Sequence, residues 1–445
     1  MASLLLVLPV MRIHRNSYFA ALAAVALASF SVGCQSSVRG ADAWDELFQQ
    51  QRTDQGWTGG DGAYSVSLPA GRTLWLFGDS VLGSAQDGRR ANLEYRFGNT
   101  IAIQQNPQAD GDPSVSSIKF DWGAPSSNGW LPIFDDTLDR ATIPQSLARA
   151  RASGRNTAAW AMHGIVVQND LLLFNAIATP GDCESCGFFN FQVHGSTLSL
   201  IAGVDRPYEA WGFESGLGWR SDSRPLQRFV EPGRAGDNGA TILWGLYLVP
   251  DPEQANALLI YGHRSDGAVG ELVVARVSPV EQAADAMDFG RWSYWDGELW
   301  ASSPESARGI LGHVATELSV SRVPGDAEAG WAVVHAGDGL DGAVHVALGS
   351  SPLGPFSERY VLRLSDCPPG GFDRESPPLA YAIKAHPELS TEDELLVSVV
   401  LARTDTNTTA EGSETGYYVP RFLHLPWHEI LDHSQSSRKR CEAKS

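Results

Sequence analysis

Apolar and polar positions alternate along most of this chain. In GGDGAYSVSLPAGRTLWLFGDS, residues 59–80, Tyr64, Val66 and Leu68 share one face and Ser65 and Ser67 the other. That period of two is a strand signature. Pro69, Ala70 and Gly71 supply turn chemistry, and Leu74 to Phe77 reads as a buried return strand. The same unit of strand, turn and apolar strand recurs from His163, from Gly236, from Thr316 and, more loosely, from Tyr381. Further strands such as FGNTIAIQQ, FFNFQVHGSTLSLIAG, GELVVARVS and GAVHVALGS lie between the units. Helical periodicity is scarce: SLARARASG, VEQAADAMDF and HEILDH each read as a short loop helix. Five units, spaced as four-stranded blades require, predict an all-β five-bladed β-propeller with short loop helices. A β-sandwich is the rival, whereas a parallel β-helix would show short repeats of fixed length, which are absent.

Centring the first hairpin on Ala70 pairs positions whose numbers sum to 140, which sets Asp61 opposite Asp79. Backbones so paired lie about 5 Å apart. Two carboxylates there repel, so one should hold its proton unless a cation or ligand intervenes. The plainer alternative makes both aspartates turn residues beside Gly60, Gly62 and Gly78. The same end of the other units supplies His163, Asp237, Glu317, Lys384 and His386. Starts of inner strands converge on one end of a propeller channel. A carboxylate ring there suits general acid–base hydrolysis. Glu317 could instead pair with Arg322, His163 could be a structural histidine, and Glu375 could bind ligand or pair with Arg374. Trp57, and Trp292, Trp295 and Trp300 in FGRWSYWDGELW, add indole faces of the kind on which sugar rings stack. Core packing between blades is the alternative for each of them.

The 445-residue chain carries a formal charge of −19, which disfavours nucleic acid as a partner. Residues 1–33 hold no Asp or Glu. Met11 could be the true start, followed by Arg12, Arg15, the apolar FAALAAVALASF and Ser31-Val32-Gly33-Cys34, the layout of an export signal. The apolar stretch is short for a membrane span. The tripeptide before Cys34 resembles a lipoprotein cleavage site, with Ser31 where Leu is usual; a simply cleaved secretory peptide is the alternative. The reading expects a tether at 34–43, one propeller domain at 44–432 and a basic tail at 433–445. It expects attachment to the bacterial cell envelope through Cys34, or release to the exterior.

With Cys34 assigned to lipid, Cys183, Cys186, Cys367 and Cys441 remain as disulfide candidates, with three pairings open. Neither a thioredoxin-like pattern nor zinc-site spacing surrounds Cys183 and Cys186. The sequence has no G-x-S-x-G elbow, H-E-x-x-H helix, P-loop, sialidase Asp-box or WD signature. No cofactor is expected, and no EF-hand-like loop supports an axial Ca²⁺.

Taken together, GWTGGDGAYSVSLPAGRTLWLFGDS, TELSVSR, SPLGPF, YAIKAHPELSTEDELLVS, RTDTN and YVPRF resemble a group of secreted bacterial propeller domains of unknown function. That group is similar to the propeller glycosidases: arabinanases, β-xylosidases, levansucrases and endo-D-arabinanases. The resemblance runs from about Trp57 to Trp427. It implies that Asp61 is the base or nucleophile, Glu317 the acid, and Asp79 and Asp237 groups that orient substrate or tune pKa. The expected activity is hydrolysis of a furanose-containing or related polysaccharide by a monomer. The competing expectations are a carbohydrate-binding propeller without catalysis and a protein-interaction propeller.

Overall fold

The computed structural model describes residues 35–36, 38–49, 56–96, 98–105, 117–126, 129–131, 143–181, 190–208, 211, 226–230, 241–265, 270–325, 330–337, 341–370, 372–403, 409–432 and 440–441. Five antiparallel sheets stand around one axis as a five-bladed β-propeller. The inner strands are Gly56–Leu68, Ala158–Val167, Thr241–Pro250, Leu318–Arg322 and Leu379–Ala385. Each packs on the next, and the fifth meets the first. Blades stack face to face, so their middle strands are covered on both sides. This is why Leu171–Leu173, Val273–Val274 and Leu395–Val397 read as apolar runs without alternation.

The ring is closed by the N-terminal segment. Arg39–Gly40 pairs with the third strand of blade five, Pro420–Pro426, and supplies that blade's outermost strand. The helix that follows, α1 (Asp42–Gln49), buries Trp44, Leu47 and Phe48 at the junction of blades five and one. Phe48 stacks on Phe422 and meets Trp75 edge-on, with ring centroids 5.4 and 5.0 Å away. Asp45 of α1 is buried but satisfied, accepting from the Phe422 amide at 2.9 Å and from Arg421 at 3.2 Å. Residues expected to be a tether thus contribute a strand and a helix start. The expected helix near Leu147 is α2 (Gln145–Ala152), and the C-terminal one is α3 (Trp427–Leu431). VEQAADAMDF forms two short 3₁₀ turns, Ala283–Met287 and Phe289–Arg291. Gln35–Ser36 runs parallel to Arg440–Cys441. Among the described residues no helix is long and apolar enough to cross a membrane.

Four of the five inner strands break register at the same stage of their course. The irregularities fall between Gly60 and Tyr64, Ala161 and Gly164, Trp244 and Tyr247, and Tyr381 and Lys384. A bulge inserts a residue, bends the strand and re-aims side chains. Here the bulges encircle the axis, and the first of them contains Asp61.

Candidate active site

The first hairpin keeps the expected register from Leu68↔Arg72 to Tyr64↔Leu76 and regains it at Gly60↔Ser80. Between these points two compensating irregularities displace the ladder, and Asp61 falls inside them. The bulge places Gly62 at φ 82° and Ala63 at φ 54°. Asp61 then lies across Gly78, where an added Cβ would come within 2.6 Å of Asp61 Oδ1. Two hydroxyls converge on the other oxygen: Tyr381 and Tyr418 each donate to Asp61 Oδ2 at 3.2 Å.

Tyr418 is held left-handed, at φ 58°, by contacts on three sides. Its amide donates to Leu401 O at 2.7 Å, its carbonyl accepts from Gly60 at 2.8 Å, and its hydroxyl reaches Asp61. A side chain at position 59 would put Cβ 2.4 Å from the Tyr418 carbonyl, so only glycine fits there. Buried Arg90 braces the same loop, donating to Thr58 O at 3.1 Å and Glu414 O at 2.7 Å.

Asp79, on the return strand, accepts from Trp160 Nε1 at 2.6 Å and from the Gly98 amide at 2.9 Å, both at Oδ1. Glu317 stands immediately before the fourth inner strand, and Lys384 Nζ approaches its Oε1 at 3.4 Å. Arg322 lies 5.0 Å over the Trp331 ring instead. Burial, then the charges of Asp79 and Glu317, push the Asp61 carboxyl well above its usual range; the two tyrosines pull it back less. Burial also raises Glu317, opposed by the Lys384 ammonium and its hydrogen bond. Both Asp61 and Glu317 therefore favour the protonated form, and a cation opposes this at Glu317. Among the described residues no such cation bonds the Asp61 carboxyl, which is raised well above its usual range.

Other residues expected at the site occupy different places. Trp57 is only 1% exposed and packs on Phe120 and Phe77, so it is core rather than a sugar platform. His163 stacks on Tyr247 with centroids 3.8 Å apart and accepts from the Leu248 amide at 3.1 Å. Burial lowers it to about 3, so it stays neutral. His386 is buried and bonds Ser65 Oγ through Nδ1 at 2.6 Å; burial, then the Lys384 charge, keep it neutral too. Lys384 is 1% exposed and engaged by protein oxygens rather than open to a ligand. Trp295 belongs to the fourth strand of blade three, away from the axis, facing Trp300 at 5.3 Å. Glu375 is exposed in the loop before the fifth inner strand. Asp237, Cys34, Cys183 and Cys186 lie outside the described residues, as does the side chain of Cys441. Cys367 is disulfide-bonded.

The reading of the sequence missed Trp160, Tyr381 and Tyr418 as site residues. It began the second unit at His163, but the strand starts at Ala158. The bulge between Ala161 and Gly164 breaks the alternation that would have exposed Trp160. Among the described residues no group of three or more His, Cys, Asp or Glu could hold a metal ion.

A family model described as Domain of unknown function (DUF5005) matches residues 42–427. The chain belongs to the DUF5005 family. No curated protein matches the sequence. The DUF5005 chain is similar in structure to a candidate hydrolase of Bacteroides ovatus, with TM-score 0.61 and 17% identity over 90% of this chain and 93% of that one. Weaker likenesses include an α-L-arabinofuranosidase of glycoside hydrolase family 62 from Coprinopsis cinerea, with TM-score 0.37 and 12% identity over 84% and 98% of the chains. Another is an α-L-arabinofuranosidase of Clostridium thermocellum, with TM-score 0.38 and 9% identity over 81% and 95%. The Bacteroides likeness supports the fold, and the DUF5005 site stands on its own geometry.

Proposed function

We propose that this DUF5005 propeller is a glycoside hydrolase acting on a furanose-containing or related polysaccharide. The observation that carries the reading is the buried Asp61 carboxyl, capped by two tyrosine hydroxyls and within the electrostatic reach of Asp79 and Glu317. Sugar binding alone needs no group kept protonated by burial and neighbouring charges, whereas a general acid does. The name of the Bacteroides ovatus relative agrees with hydrolysis. Export and attachment through Cys34 belong to the same proposal.

The resemblance implies Asp61 as base and Glu317 as acid, but the surroundings favour the reverse. A proton on Asp61 Oδ1 leaves Oδ2 to accept both hydroxyls. Asp61 then protonates the leaving oxygen as the glycosidic C–O bond breaks. Glu317, ionised beside Lys384, adds to the anomeric carbon or takes a proton from the water that does. Asp79, fixed by Trp160 and Gly98, supplies the charge that keeps the proton on Asp61.

The test is a screen of the protein against bacterial and plant polysaccharides, arabinans first, read as released oligosaccharides. Asp61→Asn should lose cleavage of native glycan yet retain much of its rate on aryl glycosides, whose leaving groups need no proton. Glu317→Gln should lose both. No cleavage by the unaltered protein across the screen would leave the binding-module reading in its place.

A further inference from the structure

The Lys384 ammonium is buried at the meeting point of three blades. It donates to Gly62 O on blade one and to Ala382 O on its own blade five, the latter at 2.7 Å, and faces Glu317 Oε1 at the head of blade four at 3.4 Å. It also stands 4.4 Å over the Tyr64 ring. Gly62 follows Asp61 in the first-blade bulge, and Ala382, at φ 55°, lies in the fifth-blade bulge that carries Tyr381. One cation therefore touches the backbone behind Asp61, the backbone beside a tyrosine that caps Asp61, and the carboxylate of Glu317.

We propose that Lys384 is a positioning residue, which locks the Asp61 bulge to Glu317 and holds Glu317 in its ionised form. This rests on the hydrolase reading above. The groups that act electrostatically on Glu317 or Lys384 are Asp61, Tyr64, Tyr381 and His386. His386 is neutral, the tyrosines are un-ionised, and Asp61 carries the proton. Lys384 is then the one cationic group against Glu317 in this set, and although burial lowers its own affinity for a proton, Glu317 opposes that loss. A buried ammonium costs desolvation and persists where an anion and oriented carbonyls offset it.

Two variants separate charge from packing. Lys384→Gln keeps N–H donors for the Gly62 and Ala382 carbonyls without a charge, and Lys384→Met removes both. In kcat/KM against pH, the acidic limb reports ionisation of Glu317. Losing a cationic neighbour should raise that limb by about 1–3 pH units in both variants, while Lys384→Arg should bring it back toward the parent value. A purely structural lysine would lower the rate at every pH and leave the limb in place, and that result overturns the proposal; if the Met variant does not fold, the Gln variant decides.

A second measurement needs no activity. In a cycle of Lys384→Gln, Glu317→Gln and the double variant, the urea midpoints should be non-additive at pH 8 and additive near pH 4, where Glu317 is protonated. Additivity at pH 8 would overturn the charge pairing even if the protein cleaves glycans. A non-additive cycle in a protein that cleaves nothing would instead overturn the hydrolase reading.

Discussion

Gly78 shows how much of the site rests on a missing side chain. A methyl group there meets Asp61 Oδ1, the free end of a short side chain, rather than backbone. Gly78→Ala should therefore fold with little change in melting temperature but displace the carboxyl, and a misplacement near 1 Å costs on the order of 100-fold in rate. Steady-state kinetics beside a thermal melt tests this. Asp61 itself makes a prediction of opposite sense for stability. Its folded carboxyl holds a proton more tightly than the unfolded one, so stability falls as pH rises from the unfolded value, 3.8, through the raised folded value. Asp61→Asn removes that penalty. The variant should be more stable than the parent at pH 8 and closely similar below pH 3.8, as read from urea unfolding across pH. At this scale the sequence made Asp61 legible through turn arithmetic, and Glu317 through its place before an alternating strand. Lys384 was visible as a charge near the axis. Its burial was not, because nothing local distinguishes a lysine aimed at carbonyls from one aimed at solvent.

At the scale of elements, the hairpins were legible wherever apolar residues alternate or run together between turn residues. The expected pairing in the first one holds until the bulge. What escaped were elements fixed by distant partners. The helix α1 has a short DAWDELFQ pattern, and its apolar face acquires meaning only against Trp75 and Phe422. Trp57 looked like a sugar platform for the same reason, since its partners Phe77 and Phe120 come from other strands. Phe48 is fully buried among five aromatic rings, so Phe48→Ala should cost about 3–5 kcal/mol. Chemical denaturation with an unchanged slope would confirm that the loss is local packing at the junction of the first and last blades.

The five blades form a ring whose first and last members share one seam. Five recurring units pointed to that architecture, while the seam's construction left almost no trace in the pattern. Two residues, Arg39 and Gly40, are too few to show a period. They pair with His424 and Leu423, close to the other end of the domain. During synthesis this contact has no partner until nearly the whole domain has been made. Blades one to four can assemble in order as the chain lengthens, each against its predecessor. The opening strand must wait, with its backbone donors and acceptors unpaired, for a partner more than 380 residues behind it. Closure is thus a late, long-range event that the ribosome can hold open until the last blade is released.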